Sequence, residues 1–273
     1  MPNLDTNGSR FRVLGVSVDA VKMPDVIHRI ESWILKKASS RYIAVANVHS
    51  IIEAQHDGAF RQTLDSAAMV VPDGMPLVWF GRRRGFDMPR RVCGPDLFEA
   101  FCRETCTKGY THFLYGGADG VPEALAEVLK RRFPGVRIVG AFSPPFRPMT
   151  PEEDQQTVEM INRSVADVLW VGLGCPKQER WMYEHRHRIT VPVVVGVGAA
   201  FDFLSERLPR APRLMGDHGL EWLYRLWKDP RRLWRRYLGT NSSFVYYWLR
   251  EILVQGEAVE IKKSAGPSKE DVL

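Results

Sequence analysis

The chain has 273 residues, of which 45% are hydrophobic and 26% charged, and it carries a net charge of +6 at pH 7. This composition is typical of a globular protein with a sizeable core, built as one large α/β domain or two small ones. No apolar stretch approaches the length of about 18 residues that a membrane-spanning helix requires. The N-terminus also lacks the pattern of a secretion signal. The sequence therefore predicts a cytoplasmic protein whose contact with a membrane is peripheral.

Short apolar runs rich in β-branched residues alternate with helical patterns along most of the chain. The predicted strands are Tyr42–Ala46, Met69–Val71, His112–Tyr115, Val136–Val139, Val168–Val171 and Val191–Val197. The predicted helices are Pro24–Lys37, Ala59–Ala67, Pro95–Thr107, Pro122–Phe133, Pro151–Ser164 and Lys177–Arg188. This alternation predicts an α/β fold with a mainly parallel sheet and helices on both faces.

The stretch from Arg207 to Arg250 has a different composition from the rest of the chain. It contains ten Lys or Arg residues against three acidic ones, together with four of the eight tryptophans. We predict an α/β body over residues 1–205, a basic and aromatic helical appendage over 206–256, and a polar, disordered tail over 257–273. The appendage either meets an anionic, partly apolar partner, or packs its Trp and Leu side chains on the body while its arginines face water.

The cysteines indicate no metal site. Cys93, Cys102, Cys106 and Cys175 form no CxxC pair, and they lack clustered histidine partners. This pattern predicts reduced, mostly buried thiols. The basic charge comes with no zinc-finger or RRM signature, so we predict no nucleic-acid partner.

Glycines are frequent where the predicted strands end. They are Gly116, Gly117, Gly172, Gly174 and Gly198. Ligands of parallel α/β sheets bind at the carboxyl ends of the strands, and glycines there let backbone N–H groups approach a phosphate or a sugar. The segment from Gly172 to Gly174 lacks the third glycine of a dinucleotide-binding fingerprint, so on its own it is a weak signal.

Asp73 directly follows the apolar run MVVP, so we predict that its carboxylate projects from a strand end, where it can act as a general base. The alternative is that Asp73 caps a helix that begins near Met75. Asn47 and His49 follow another predicted strand, and both can hydrogen-bond a ligand. For His49 the alternative is a helix-start or packing role.

Polar residues at three further positions are candidates for ligand binding. Asp96, after Gly94, can bind a sugar hydroxyl or complement the dipole of the helix that it begins. Gln178 and Glu179 suit recognition of a base or a ribose, and a solvated first helical turn is the simpler account of both. Asp202 lies shortly after the last predicted strand.

Several segments carry a family resemblance that extends roughly from Gly15 to Trp248. They are Asn47, VVPDG at Val70–Gly74, Gly94-x-Asp96-Leu97, Tyr115-Gly116-Gly117, VGLGCPKQERWM at Val171–Met182, GVGAAFDFLSERLPRAP at Gly196–Pro212 and GLEWLYRLWKDPRRLWRRYLGTN at Gly219–Asn241. In this order they resemble the WecG/TagA/CpsF family of bacterial glycosyltransferases. The last two segments are long and specific.

The resemblance implies a Rossmann-like, inverting glycosyltransferase that needs neither a metal nor a cofactor. Such an enzyme moves a hexose or N-acetylhexosamine, or a uronate form, from a UDP-sugar to a polyprenyl-diphosphate-linked saccharide in cell-surface polysaccharide synthesis. The resemblance implies that Asp73 is the base. It also implies that the appendage contacts the inner face of the plasma membrane and supplies arginines to the diphosphate. By position these are Arg210, Arg225, Arg232 and Arg235, and a homo-oligomer is compatible with this interpretation.

One position departs from the family pattern. Many members have Thr-x-Asn where this chain has Val45-Ala46-Asn47, so the threonine hydroxyl usually assigned to the active site is absent. Either His49 or another group replaces that hydroxyl, or this chain uses a different donor or acceptor.

Two other classes of function stay open at this point. A nucleotide-dependent oxidoreductase or methyltransferase can use a similar sheet, although the chain lacks GxGxxG. A noncatalytic basic adaptor would show salt-sensitive binding to lipid or DNA without affinity for UDP.

Overall fold

A six-stranded parallel sheet forms the centre of the molecule. The computed structural model describes residues 9–37 and 39–264, and of residues 213, 217, 232, 236 and 251–264 it describes the backbone alone. A hairpin of β1 (Arg10–Val13) and β2 (Val16–Asp19) precedes the sheet, whose strands are β3 (Arg41–Ala46), β4 (Met69–Pro72), β5 (Thr111–Gly116), β6 (Arg137–Phe142), β7 (Val168–Gly172) and β8 (Val193–Gly196). Their order across the sheet is β4-β3-β8-β7-β5-β6.

Helices connect the strands and cover both faces of the sheet. Those of the body are α1 (Met23–Leu35), α2 (Val48–His56), α3 (Gly58–Asp65), α4 (Met75–Arg83), α5 (Gly94–Thr105), α6 (Val121–Arg132), α7 (Pro151–Arg163), α8 (Lys177–His185) and α9 (Ala200–Leu204). Those of the appendage are α10 (Arg213–Asp217), α11 (Glu221–Lys228) and α12 (Pro230–Ser264). Several begin with a proline in the first turn, where the missing N–H costs no hydrogen bond.

Successive residues of each strand point into two different hydrophobic layers, as the two-residue period of a strand requires. In β3, Tyr42 and Ala44 pack in the layer that contains α2, α3 and α8. Ile43 and Val45 pack in the opposite layer, with α1, α5 and α6. Because both faces are buried, the strands read as continuous apolar runs rather than as alternating ones.

The predicted α/β, Rossmann-like fold is confirmed, and each of the six predicted strands is present. The six predicted helices are also present, with ends shifted by a few residues. The hairpin, α2 and α9 are not among the predicted elements. From the sequence, the helix α4 is predicted only in the alternative in which Asp73 caps a helix that begins near Met75. The hairpin turn places Leu14 and Gly15 at positive φ, the two central positions of a tight turn, although Leu14 is an unusual residue there.

Asp19 attaches the hairpin to β4, an edge strand of the sheet. Its carboxylate is 1% exposed and accepts a hydrogen bond of 2.8 Å from the backbone N–H of Val70. Arg10 and Arg29 neutralise it at 3.2 and 3.5 Å. The hairpin therefore covers this edge of the sheet, and the Asp19 side chain accepts a hydrogen bond from one of its backbone N–H groups.

The appendage combines features of both interpretations of its sequence. Phe244 of α12 is buried and packs against Phe80 of α4, with ring centroids 5.7 Å apart, and Trp248 contacts the same ring. Trp227 and Trp234 are instead exposed. Among the residues that the structure describes, no helix has the length and apolarity needed to cross a membrane. The division at 205 and 256 stays a prediction, and residues 265–273 of the predicted tail lie outside the described part of the chain.

We expect Asp19→Ala to destabilise the protein by about 2 kcal/mol, because it leaves the buried backbone N–H of Val70 without its acceptor and removes the counter-ion of Arg10 and Arg29. The measurement is the free energy of unfolding in denaturant. Asp87→Ala is the matched control: Asp87 is 83% exposed in its ion pair with Lys22, and a surface pair contributes at most about 1 kcal/mol. Equal effects of the two substitutions would contradict the role given to Asp19.

Candidate active site

A cleft of about 570 Å³ lies outside the carboxyl ends of β3 and β4, between the body and the appendage. The carboxyl edge of a parallel sheet is where ligands of α/β proteins bind. The cleft contains two groups of side chains. We call Asn47, His49, Asp73, Arg91, Glu221 and Arg225 the polar cluster, and Met75, Trp79, Phe80, Trp222, Phe244 and Trp248 the apolar cluster.

Asp73 lies at the end of β4, as predicted. Its backbone N–H donates to the carbonyl of Ala46 at 2.8 Å, which joins this position to the end of β3. The alternative that Asp73 caps a helix is wrong, because α4 has Gly74 as its N-cap and no side-chain cap hydrogen bond. The side chain, 22% exposed, lines the cleft, with Oδ1 3.9 Å from Nη1 of Arg91.

The surroundings of Asp73 raise the pKa of its carboxyl to about 7. Burial is the main cause, because it penalises the charged form, and the negative charge of Glu221 adds to it. The arginines Arg91 and Arg225 and a hydrogen bond from Asn47 act in the opposite direction. A carboxylate with this pKa accepts a proton far more readily than a solvated aspartate, and it is still substantially ionised near neutral pH.

Asn47 and His49 reach the cleft because α2 begins at the end of β3. Oδ1 of Asn47 caps α2 by accepting the backbone N–H groups of His49 at 3.0 Å and Ser50 at 3.3 Å. The rest of the Asn47 amide is thereby turned toward Asp73. His49 is half-buried in the first helical turn and lines the cleft, so its helix-start position and its access to a ligand coexist. Val45, where the family resemblance implies a threonine, is buried in the core.

Arg91 belongs to the polar cluster but is not among the predicted site residues. Its Nη2 donates to Oε2 of Glu221, and its Nη1 donates to the backbone carbonyl of Asp73 at 3.4 Å. Glu221 begins α11 and accepts a second hydrogen bond from Arg225, one turn later. In the sequence Arg91 is one of several arginines between Arg82 and Arg91, and no periodicity distinguishes it. Only its nearness to the Gly94-Pro95-Asp96 segment could have marked it.

Asp96 and Arg210 form an ion pair with each other beside the polar cluster. Arg210 Nη1 donates to Oδ1 of Asp96 at 2.5 Å, and Nη2 contacts the buried Sγ of Cys93 at 3.2 Å. Cys93 in turn donates to Asp96 at 2.9 Å. Burial opposes ionisation of Asp96, but these two hydrogen bonds outweigh it and lower the pKa of Asp96. The pair connects the start of the appendage to the start of α5, and its contact with a substrate stays a prediction.

Three of the predicted glycines are required where backbones or rings touch. A Cβ on Gly94 would lie 2.6 Å from the carbonyl oxygen of Val197, and a Cβ on Gly116 would lie 2.6 Å from the backbone of Gly172. Gly172 is itself packed against the ring of Phe201. The backbone N–H of Gly117 donates to Gly172 at 3.0 Å. These contacts explain the glycines by close packing, and a role in ligand binding stays untested.

Gln178 and Glu179 are buried, so the account of a solvated first turn is wrong. Oε1 of Gln178 accepts the backbone N–H groups of Gly174 at 3.2 Å and Gly198 at 2.9 Å, which joins the loops after β7 and β8. Nε2 of Gln178 donates to Glu179 at 2.8 Å. Burial raises the pKa of Glu179 to about 6. The polar atoms of Gln178 are therefore already engaged within the protein, and recognition of a base or ribose stays a prediction.

Asp202 and Arg235 lie outside the cleft lining. Asp202 is half-buried in α9, and its carbonyl accepts the N–H of Leu208 at 3.0 Å. Arg235 is exposed and lies over the ring of Trp234. The side chain of Arg232 is outside the described residues. The structure thus brings Asn47, His49, Asp73 and Arg225 together, and it adds Arg91 and Glu221 to them.

The fold and the cleft define an α/β protein with a carboxylate of raised pKa beside the guanidinium groups of Arg91 and Arg225 at the carboxyl edge of a parallel sheet. Arginine binds phosphate with two parallel hydrogen bonds, so this set of groups suits a reaction on a phosphorylated ligand. The chain belongs to the Glycosyl transferase WecG/TagA/CpsF family, whose sequence model matches residues 11–258. The resemblance predicted from the sequence is thereby confirmed.

Two relatives share most of their length with this chain. A protein of Bacillus spizizenii is 31% identical over 217 residues, which are 80% of this chain and 82% of the relative. A protein of Staphylococcus aureus strain MW2 is 25% identical over 242 residues, 88% of this chain and 92% of the relative. Both are named N-acetylglucosaminyldiphosphoundecaprenol N-acetyl-beta-D-mannosaminyltransferase. They are thus glycosyltransferases named for a lipid-linked saccharide.

We expect Asp73→Asn to raise the melting temperature at pH 8, by about 2 °C or more. The folded-state pKa of about 7 lies above the ordinary 3.8, so ionisation of Asp73 costs stability above pH 7, and this cost disappears as the pH falls toward 4. The difference between variant and wild type should therefore shrink over that range in thermal denaturation. Asp87→Asn, at an exposed carboxylate, gives the background change. A difference that does not vary with pH would contradict the raised pKa.

Proposed function

We propose that the protein is an inverting, metal-independent glycosyltransferase. It moves a hexose or N-acetylhexosamine, or a uronate form, from a UDP-sugar to a polyprenyl-diphosphate-linked saccharide in cell-surface polysaccharide synthesis. The observation that carries the proposal is the polar cluster, in which the carboxylate of Asp73 and the guanidinium groups of Arg91 and Arg225 line one cleft. Family membership supports glycosyl transfer, and the names of the relatives support a lipid-linked acceptor.

The reaction is a single displacement at the anomeric carbon of the donor. The acceptor hydroxyl oxygen forms the new bond, the bond from the anomeric carbon to the diphosphate breaks, and its electron pair leaves with UDP. The hydroxyl proton passes to Asp73, whose raised pKa makes it a suitable acceptor. Attack from the face opposite the leaving group inverts the configuration of the carbon.

Negative charge builds up on the leaving diphosphate, and this chain can meet it with arginines. Arg91 and Arg225 reach the cleft from the body and from the appendage. Preorganised donors of this kind lower the barrier without a metal ion, and loss of one such contact costs on the order of 3 kcal/mol. Arg210 lies next to them in its pair with Asp96, so it can join them only by giving up part of that pair.

The apolar cluster supports a place for the lipid of the acceptor. Phe80, Phe244 and Trp248 pack together, and the exposed side chain of Trp79 stands beside them in the cleft. A polyprenyl diphosphate has the same division into a charged end and an apolar end. The proposed arrangement therefore puts its first isoprene units against the apolar cluster and its saccharide near Asp73.

Exposed cations and aromatics on α11 and α12 support peripheral docking at the inner face of the plasma membrane. Lys228 and Arg231 are exposed, and so are the rings of Trp227 and Trp234. Each cation near an anionic lipid surface contributes about 1 kcal/mol, and tryptophan favours the interfacial layer. Docking by this surface would bring the cleft close to an acceptor that stays in the membrane.

The test of the proposed function is release of UDP from a panel of UDP-sugars, with a lipid-linked saccharide as acceptor and EDTA present. We expect acceptor-dependent release by the wild type and by Asp87→Asn, and a fall of at least about a hundredfold with Asp73→Asn, because general base catalysis contributes about 10²–10⁴. Analysis of the product linkage tests inversion. Undiminished activity of Asp73→Asn, or loss of wild-type activity in EDTA, would contradict the proposal.

We expect acceptors with a short prenyl chain to react at least about tenfold better than the same saccharide diphosphate with a methyl group. Each buried CH₂ contributes about 0.8 kcal/mol, so two isoprene units suffice. Trp79→Ser should remove most of this preference, measured as kcat/KM without membranes. Trp227→Ser, at an exposed ring that does not line the cleft, should keep it. A preference that survives Trp79→Ser unchanged would place the lipid elsewhere.

A further inference from the structure

Glu221 connects the two arginines of the polar cluster. Its side chain is only 14% exposed, its Oε2 accepts from Nη2 of Arg91, and its Oε1 accepts from Nη2 of Arg225. Arg91 comes from the body, while Glu221 and Arg225 come from the first and second turns of α11. One carboxylate therefore holds guanidinium groups from two parts of the chain next to each other, on the wall of the cleft.

Both arginines are also held from a second side. Nη1 of Arg91 lies 3.4 Å from the backbone carbonyl of Asp73, and its side chain is 13% exposed. A Cβ on Gly216 would lie 2.7 Å from Nη2 of Arg91, so α10 closes over this guanidinium. The guanidinium of Arg225 lies 4.9 Å from the ring centroid of Phe203. With the carboxylate, each guanidinium therefore has contacts on two sides.

Attachment of the appendage does not by itself explain this carboxylate. Burial of an ion pair costs solvation energy, and apolar groups of similar size often hold two elements together better. Phe244 and Trp248 already provide such contacts with Phe80. Glu221, by contrast, is placed in the cleft with the groups that face Asp73, where its charge and its reach both affect the site.

We propose that Glu221 is a positioning residue of the transfer reaction. It aligns Arg91 and Arg225 for the leaving diphosphate when the appendage is packed against the body. This inference rests on the proposed function. Glu221 touches no reacting atom in this scheme and acts through the two arginines. Its carboxylate holds both guanidinium groups at the cleft before the substrate binds. The arginines therefore need little reorientation in the transition state, which lowers the activation free energy.

The charge of Glu221 also acts on Asp73. Burial opposes ionisation of Glu221, but Arg225 and Arg91 outweigh it and lower the pKa of Glu221, so the residue is negative throughout the neutral range. That charge is one of the causes that raise the pKa of Asp73. Several titratable and charged groups surround Asp73. Those that line the cleft or interact electrostatically with Asp73 are His49, Arg83, Arg91, Cys93, His218, Glu221 and Arg225.

Substitution by an uncharged residue should therefore have two separable effects. Glu221→Gln loses the bridging charge, so the arginines are held less firmly and kcat falls. It also removes a negative neighbour of Asp73, so the pKa of Asp73 falls and the acid side of the pH profile of kcat/KM moves to lower pH. Glu221→Asp keeps the charge but shortens the reach, so it should lower kcat while leaving the profile near that of the wild type.

The experiment measures kcat and kcat/KM from pH 5 to 9 for the wild type, Glu221→Gln, Glu221→Asp and Glu206→Gln. We expect Glu221→Gln to lose at least about tenfold in kcat, equal to about 1.4 kcal/mol, and to shift the acid side of the profile downward. Glu206→Gln, at an exposed carboxylate just before the appendage helices, should match the wild type in both. An unchanged kcat, or a loss of kcat without a shift of the profile, would overturn the inference.

A second measurement needs no turnover. The stabilisation that Asp73→Asn produces is followed against pH in the wild type and in the Glu221→Gln background. In both backgrounds this stabilisation begins near the ordinary pKa of 3.8, but in the variant background we expect it to level off at a lower pH and at a smaller value, because it stops growing at the folded-state pKa of Asp73. Identical profiles in the two backgrounds would overturn the electrostatic link. Failure of the wild type to transfer any sugar would instead overturn the proposed function, and the stability comparison would still decide whether Glu221 acts on Asp73.

Discussion

The ion pair between Arg91 and Glu221 is the contact on which the cleft depends. Arg91 belongs to the body and reaches the end of β4 through the carbonyl of Asp73, whereas Glu221 starts a helix of the appendage. The pair therefore fixes the appendage over the carboxyl edge of the sheet and, in the same contact, fixes the charges that surround Asp73. The apolar contacts of Phe244 and Trp248 with Phe80 supply the surface burial that this pair lacks.

Much of the body could be predicted from the sequence because its strands are buried on both faces. Runs such as those at Tyr42–Ala46 and Val168–Val171 are short, apolar and rich in β-branched residues, so they were unambiguous. The same logic placed Asp73 and Asn47 at strand ends. The helices α2 and α9 escaped prediction for different reasons: the first turn of α2 has no proline or acidic residue to mark it, and α9 has only five residues, too few to show a helical period.

The parts of the site that could not be predicted depend on contacts between distant residues. Arg91 is distinguished from its arginine neighbours by its contacts with Asp73 and Glu221, and Glu221 lies in another region of the chain. Gln178 and Glu179 occupy a first helical turn, which is usually solvated, yet here they are buried because Gln178 joins the loops after two different strands. Glycines at strand ends have the same sequence signature whether they admit a ligand or another backbone, and Gly116 lies against Gly172.

Because the cleft needs side chains that directly follow β3 and β4 as well as side chains from α12, it has an order of assembly during synthesis. The body residues that surround Asp73 emerge from the ribosome well before Phe244 and Trp248, and domains tend to fold from the N-terminal side as they emerge. A nascent chain can therefore have a complete sheet and a positioned Asp73 while Arg91 still lacks its partner. The last wall of the cleft closes only when α12 is available, which delays a complete site until the exposed cations and aromatics of α11 and α12 have also been made.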